Sequence, residues 1–541
     1  MKNQIAQVLK SLESLNSSCR FNSLVQLDFP TAYCVLAADA LMKRPGKIQG
    51  VEQHCRFRQL IDFGVRSESD LRSWIQASFQ GLDTGRWDAC RKQADEFLES
   101  GVNVFAWHDP GNLLHFINET TANPGLKFSP ADRSLFTAKP RCPSVLFGKG
   151  DLEFDLPLLA VFNSRKPRFV SPDSKWLEAL RFFFRSLDRL EIALAASTGT
   201  LTYDMVHALA LRSGLVHLLV SPSPLQTVHR NGNPVLSCML DSATCSGKQA
   251  PICRDRIVAA LANLHLVLEI RARGNLLDVL EEIQANSPRP ELIFDPGERN
   301  PSNAGNYVLL SRYPEHACVF KPPETPGSKA ANSIQTASFA HSRLRVESWS
   351  DYLFHYTRAC AGPWPGETYD QYLLNLFDAR PLSGHSALET LIRILQEGQI
   401  RAGARMVRGP EAVISWSSHP PHELFLMRKW NRALVRWTVE PYGIAVRRDI
   451  LRSLGAKPAV YGSDQVYSRL VEPERYRFQL SRSAPSASWR HEREWRLRGD
   501  LALSSLNPGD GFVFVKTEEE KAKFCSHINP GLSIVALDAS R

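Results

Sequence analysis

The clearest pattern of apolar and polar positions lies at residues 487–498, Ala-Ser-Trp-Arg-His-Glu-Arg-Glu-Trp-Arg-Leu-Arg. A period of two puts Glu492, Glu494 and Arg496 on one face and Arg493, Trp495 and Leu497 on the other. That alternation predicts a half-buried strand with one wet, charged face. Near the other end, residues 87–98 carry the three-and-four spacing of a helix that ends at Gly101. Residues 102–107, Val-Asn-Val-Phe-Ala-Trp, then predict a strand running into the turn cluster His108-Asp109-Pro110-Gly111.

From about 140 to 300, short apolar runs alternate with helical ones, which predicts a parallel sheet covered by helices. The runs are 156–162, 192–196, 216–220 and 264–269. Small and polar residues follow the first two: Asn163, Ser164, Arg165 and Lys166 after one, Ser197, Thr198, Gly199 and Thr200 after the other. These are the carboxyl ends of the strands, where doubly wound sheets bind ligands, and a helix starting there offers backbone amides to a phosphate. Ordinary loop chemistry accounts for either turn taken singly.

Residues 321–333 are rich in Pro, Ser and Ala and read as a linker. Beyond it come an aromatic strand at 352–357, a helix at 387–398 closed by Gly398, and short runs at 412–417, 441–446 and 455–462. The expected division is a helical region at 1–120, a Rossmann-like α/β domain at 121–300, an extension and linker at 301–345, and an α+β domain of mixed strands at 346–541.

Composition narrows the classes. Apolar residues are 43% and charged residues 22%, as in soluble globular proteins. No run approaches the ~18 apolar residues of a membrane span, and the first ten residues lack the apolar core of a signal peptide. The expected setting is therefore cytoplasmic, with no membrane partner. The eleven cysteines form no CxxC pair and no Cys/His cluster, which argues against a structural zinc site and a secreted disulfide framework. No metal is expected.

The formal charge of +9 is uneven, because residues 401–500 hold 19 Lys/Arg against 10 Asp/Glu. Such a window fits an anionic ligand, a pyrophosphate or a nucleic-acid backbone, and equally a solvated basic surface. Within it, Glu492 and Glu494 stand roughly 6–7 Å apart on one strand face, too far to share a proton. They could divide two tasks, gripping a sugar hydroxyl and steadying a developing cation. An ion-paired face, with Arg496 neutralising one carboxylate, is the competing reading.

Several segments resemble known families. Residues 142–150, Cys-Pro-Ser-Val-Leu-Phe-Gly-Lys-Gly, are similar to the P-x-x-L-F-x-K-G motif of bacterial DNA-processing protein A (DprA). Asn163-Ser164-Arg165-Lys166-Pro167 resembles its G-S-R-x-P loop with Asn for Gly, and residues 198–204, Thr-Gly-Thr-Leu-Thr-Tyr-Asp, its second glycine loop. Residues 254–261, Arg-Asp-Arg-Ile-Val-Ala-Ala-Leu, resemble its R-N-R-x-I-A-x-L and lead to Glu269. The wider SLOG group of Rossmann-like nucleotide sensors shares this pattern. The resemblance implies a pocket for a nucleotide signal or single-stranded DNA, lined by Asn163, Ser164, Arg165, Lys166, Thr198, Gly199, Thr200, Arg254, Arg256 and Glu269.

At the other end, Phe354-His355-Tyr356-Thr357, the 387–398 helix, Tyr442-Gly443-Ile444, the Pro458 to Gly462 element and Trp489 to Arg496 resemble abortive-infection domains of the AbiGi type. More distantly they resemble ADP-ribosyltransferases, including DarT toxins. That resemblance implies NAD as a substrate. Glu494 would hold the ribose and stabilise an oxocarbenium-like state, Glu492 would orient the acceptor, and the two could exchange roles. His355 would bond the adenosine-side ribose, Tyr356 would stack on nicotinamide, and Thr357 and Arg408 would hold the cofactor, Arg408 at the pyrophosphate. The acceptor, nucleic acid or protein, and the oligomeric state are left open. The reading is a bacterial stress or anti-phage defence protein in which a DprA/SLOG-like sensor controls a transferase-like effector. Its rival is a DprA-like single-stranded DNA-binding protein with a non-catalytic C-terminal interaction domain.

Overall fold

The computed structural model describes residues 24–27, 32, 35–37, 67, 69–71, 73, 87–107, 145–150, 156–167, 169–187, 192–228, 233–239, 250–323, 349–404, 407–426, 430–431, 436–480, 493–527 and 532–538. The chain divides into two compact units, Met1–Lys166 with Asp173–Thr325 and Pro326–Arg541 with Pro167–Pro172. Glu492, Trp489 and the 324–348 linker lie outside the described residues. Among the described residues no helix is long and apolar enough to cross a membrane.

Unit 1 is built on one ten-stranded mixed sheet. Its strands are β1 (Leu24–Gln26), β2 (Asn103–Trp107), β3 (Val145–Lys149), β4 (Leu158–Phe162), β5 (Ala193–Ser197), β6 (His217–Ser221), β7 (Val235–Ser237), β8 (Leu264–Val267), β9 (Glu291–Phe294) and β10 (Ala317–Phe320). Their order is β1-β2-β3-β7-β6-β5-β4-β8-β9-β10. From β7 to β10 every neighbouring pair is parallel, and β1 to β3 add antiparallel strands at one side. Helices α1 (Trp87–Glu99), α2 (Lys175–Phe184), α3 (Leu201–Ser213), α4 (Ala250–Leu261), α5 (Asn275–Asn286) and α6 (Ala304–Arg312) accompany the sheet.

Every position of β4, β5 and β6 is buried, as a sheet covered on both faces requires. Side chains of this kind are worth roughly 1.5–3 kcal/mol each when fully buried, so a strand such as Leu-Leu-Ala-Val-Phe has no stable place at the surface. The chain winds outward from β4 through β5 and β6, then crosses back to place β8 on β4's other side. The winding reverses between β4 and β8, an arrangement compatible with a Rossmann-like fold.

Five strands were not anticipated: β1, β3, β7, β9 and β10. Residues 304–312 and 317–320, expected in an extension, form α6 and the edge strand β10 of this sheet. The reason is visible at Asn306. Its Oδ1 accepts from Ile270 N at 2.9 Å, while Nδ2 donates to Leu268 O at 2.6 Å and Phe294 O at 2.9 Å. One buried amide thus ties α6 to the ends of β8 and β9. Gly305 beside it is held to hydrogen, because a Cβ there would lie 2.8 Å from the Arg271 carbonyl oxygen.

Unit 2 holds a seven-stranded sheet in the order Lys457–Pro458, Glu494–Arg498, Val413–Ser417, Tyr352–Tyr356, Gly443–Arg447, Gly511–Thr517, Ser533–Asp538. All pairs are antiparallel except the last. Alternate residues feed two cores. One face gathers Leu353, Ile414, Trp416, Ile444 and Leu497 with Leu391 and Leu395 of helix α8 (Ala387–Glu397), which follows α7 (Tyr369–Phe377), and the other Phe354, Tyr356, Ala445 and Phe514. Helix α8 begins in a capping box of Ser386 and Glu389 and ends at Gly398 in the left-handed region.

Candidate functional site

In unit 1 the loops after β4, β5 and β8 meet at the carboxyl edge of the sheet. Asn163, the first residue past β4, donates through Nδ2 to Thr202 Oγ1 at 3.1 Å in the first turn of α3. Its Oδ1 has no hydrogen-bond partner among the described residues, although Asn163 is only 6% exposed. Ser164 joins the β4 and β8 ends: its N–H donates to Glu269 O at 2.8 Å, and its hydroxyl accepts from Arg271 N at 3.1 Å. Lys166 forms an ion pair with Glu269 and sits 5.4 Å from the centre of the Trp176 ring. Burial lowers the Lys166 pKa, outweighing the opposite pull of Glu269.

After β5 the chain turns at Gly199, whose φ of +92° suits glycine. The turn is fixed by Gly199 N donating to Asp204 Oδ1 at 2.8 Å, and Thr200 caps α3 by accepting from Tyr203 N. Such a helix start leaves amides pointing outward with the positive end of the helix dipole behind them. Arg254 of α4 closes the site, donating through Nη1 to Thr198 O at 2.8 Å and through Nε and Nη2 to Asp255 Oδ1 at 2.9 and 2.8 Å. The guanidinium lies 4.7 Å from the Tyr203 ring centre, and the Tyr203 hydroxyl donates to the same Asp255 oxygen at 3.0 Å. Burial pushes the Asp255 carboxyl up, against Arg254 first and Arg165 among the smaller opposing influences, and it pushes the Tyr203 phenol well up.

Eight of the ten residues expected here, Asn163 to Lys166, Thr198 to Thr200 and Glu269, therefore lie on converging loops, and Arg254 reaches them from α4. Arg256 does not. Two positions along a helix face away from each other, and Arg256 pairs with Glu282 of α5 at 3.3 Å instead. The charge balance also differs from expectation, because Lys166 and Arg254 are each met by a carboxylate. Arg165 and Arg271, both exposed and without an ion-pair partner among the described residues, are cations left for an anion. Tyr203, Asp255, Arg271 and Trp176 complete the site. Tyr203 and Asp255 stood inside the family-like segments, while Arg271 and Trp176 carried no signal in the sequence.

In unit 2 the Glu494–Arg498 strand is separated from Tyr352–Tyr356 by one strand only. Glu494 Oε1 accepts from Ser415 Oγ at 2.7 Å and from Arg496 Nε at 3.0 Å. The charged face is not wet, which corrects the expectation. Residues 472–480 cover it, and Arg496 is 2% exposed. Arg496 donates to Tyr476 O at 2.9 Å, Phe478 O at 2.7 Å, the Gln479 side chain and both Glu494 oxygens.

A shared cleft for His355 and Glu494 is also corrected. Cross-strand partners Phe354, Ser417 and Glu494 share one face, so His355, next along its strand, points to the other. There it lies 5.6 Å from the Trp416 ring and hydrogen-bonds Ser415 O through Nδ1 at 3.0 Å. Burial lowers its pKa to about 4. The Tyr356 ring packs on Phe354 and Phe514, and its hydroxyl donates to His419 O at 3.0 Å. Thr357 Oγ1 donates to Ala387 O at 2.8 Å. Arg408 pairs with Asp464, its guanidinium 4.2 Å from the Tyr467 ring centre.

No protein-family model matches the chain, and no curated protein matches it. Two solved structures are similar in part. One is DNA processing protein A from Helicobacter pylori, described for its single-stranded DNA binding mode: identity is 17%, coverage 36% of this chain and 88% of that one, TM-score 0.27. The other is DprA from Streptococcus pneumoniae, at 16% identity over 55% of this chain and 95% of that one, TM-score 0.34. Likenesses this distant carry no weight on what this chain binds.

Proposed function

We propose that unit 1 is a DprA/SLOG-like domain that binds a nucleotide phosphate, of a free nucleotide signal or of single-stranded DNA, at the carboxyl edge of β4, β5 and β8. The observation that carries this reading is the buried Asn163 amide with an unspent polar atom at the point where the winding reverses. The α3 start and Arg165 would receive the phosphate, and Asn163 a ribose or base group. Calorimetric titration of the full chain with a nucleotide panel and short oligothymidylates tests it. Binding that weakens about 10-fold in Arg165→Ala supports the site. Absence of binding across the panel, or equal affinity in Arg165→Ala and Asn163→Leu, refutes it.

For the whole protein we propose a bacterial stress or defence role in which this domain controls an NAD-dependent, ADP-ribosyltransferase-like unit 2. Supporting it is the Glu494 carboxylate, held by Ser415 and Arg496 one strand away from the opening strand of the sheet. Glu494 would steady the ribosyl cation with Ser415 fixing its orientation. Incubation with labelled NAD should release nicotinamide in the wild type and not in Glu494→Gln. No release by the wild type, with or without a unit 1 ligand, leaves unit 2 as an interaction domain.

A further inference from the structure

Unit 2 carries a second cluster on the segment that covers the Glu494 strand, and of its residues only Arg408 was expected at the NAD site. Its parts are the helix Asp464–Arg469, the 3-10 turn Glu472–Arg477 and the strand Phe478–Leu480, which pairs in parallel with Val460–Gly462. At its centre is the Tyr467 ring. Guanidinium carbons of Arg408 and Arg475 lie 4.2 and 5.4 Å from the ring centre, and Phe478 meets it edge-on at 5.1 Å. A guanidinium resting on an aromatic ring is held in orientation while its N–H edge stays free for an oxyanion.

Few of those edges are spent. Arg475 gives Nε to Leu470 O at 3.3 Å and meets no carboxylate among the described residues. Arg408 gives Nη1 to the exposed Asp464, and Arg469, also exposed, has no ion-pair partner among the described residues. Arg408 is thus met by a carboxylate as neighbouring cations are, Lys457 and Arg477 by Glu474, Arg498 by Glu411 and Arg447 by Asp449, whereas Arg469 and Arg475 meet none among the described residues. Val471 at 66% exposure and Leu480 at 40% flank these arginines in the chain. A small anion has no use for apolar neighbours, whereas the bases of a polymer do.

From this arrangement we propose that the Arg408, Tyr467, Arg469 and Arg475 surface of unit 2 binds the phosphodiester backbone of a single-stranded nucleic acid. Arg408 and Arg475 contact phosphates, Arg469 extends the track, and Val471 and Leu480 lie against bases. The inference does not rest on the unit 1 pocket or on NAD chemistry.

Fluorescence anisotropy of the full chain with a labelled oligothymidylate, at about 50 to 200 mM salt, tests it. Arg469→Ala with Arg475→Ala should weaken binding about 10-fold or more, and should flatten the log–log salt slope by roughly 0.7 per lost contact. Arg469→Glu, at an exposed position, decides the matter should the double variant melt early. Applied to an Arg165→Ala background, the same changes should cause the same loss, which separates this surface from the unit 1 site. Wild-type affinity in both variants overturns the proposal. So does competition by inorganic pyrophosphate at equal phosphate concentration, which would mark a small-anion site.

Discussion

The two sheets place their polar chemistry in opposite ways. In unit 1 the central strands are mostly apolar, with His217, His265 and Glu291 buried among them, and the groups that converge lie just beyond the strand ends, where Asn163, Gly199 and Arg254 of α4 come together. In unit 2 the charged residues lie within a strand, and the largest of them, Arg496, is consumed by the fold itself. A parallel sheet buried on both faces admits few polar groups, here the buried His265–Glu291 pair of β8 and β9, and leaves most of its polar chemistry at the strand ends. An antiparallel sheet tolerates a charge in mid-strand, and there an ion pair is as readily a structural bolt as a catalytic group.

The sharpest test of that contrast is Arg496→Met. Removing the guanidinium leaves two buried carbonyls and the Glu494 carboxylate without their donor, a change of the kind that costs about 3–5 kcal/mol. Urea unfolding should register the loss with little change in slope. A loss below about 1 kcal/mol would mean the face opens to water and the bolt reading is wrong.

Next in size is the response of unit 2 to acid. His355 titrates at about 4 in the fold against 6.5 for an unperturbed histidine, so the unfolded chain binds the proton first. Its contribution is complete above pH 6.5, declines as pH falls through the window to about 4, and is constant below. The full loss is on the order of 3 kcal/mol. Thermal melts at pH 7 and pH 4.5 should therefore differ more for the wild type than for His355→Gln. Equal differences would show that the imidazole is solvated.

In unit 1 the corresponding bolt is Asn306, and Asn306→Ala should cost roughly 2–3 kcal/mol by orphaning one amide and two carbonyls at the β8 and β9 ends. Because these ends frame the candidate pocket, ligand affinity should fall with stability. Intact affinity in a destabilised variant would detach the pocket from β8 and β9.

What the sequence disclosed follows the same divide. Apolar runs located β4, β5, β6 and β8 to within two residues, since a long buried strand has a compositional signature. The strands β7, β9 and β10 escaped because three or four residues, one run opening on Glu291, give no pattern to count. The loop residues were legible through glycine and hydroxyl chemistry, but their pairing was not: the partners Lys166–Glu269 and Arg254–Thr198 are set by tertiary placement. In unit 2 the period of two assigned Glu494 and Arg496 to one face correctly. It could not tell that residues 472–480 cover that face, nor that His355 falls on the other side of the sheet. Register between distant strands decides such questions, and alternation within one strand is silent on it.

The smallest stability effect, and the one that best separates folding from function in unit 1, belongs to Gly199→Ala. At a φ of +92° an alanine is strained, yet its Cβ would meet Arg254 Nη1 at 3.5 Å and Pro222 at 3.8 Å, ordinary contact distances. The cost is then the backbone conformation alone, about 1 kcal/mol, partly offset by the lower entropy of the unfolded chain. A melting temperature that barely moves is expected. Binding is another matter, because a methyl group at the turn before α3 stands where a phosphate would approach the helix amides. Affinity for nucleotide or oligothymidylate should drop at least about 10-fold, or 1.4 kcal/mol, while the melt stays within a few degrees. If affinity holds instead, the ligand approaches without using the α3 start, and the site narrows to Asn163, Arg165 and the β8 end.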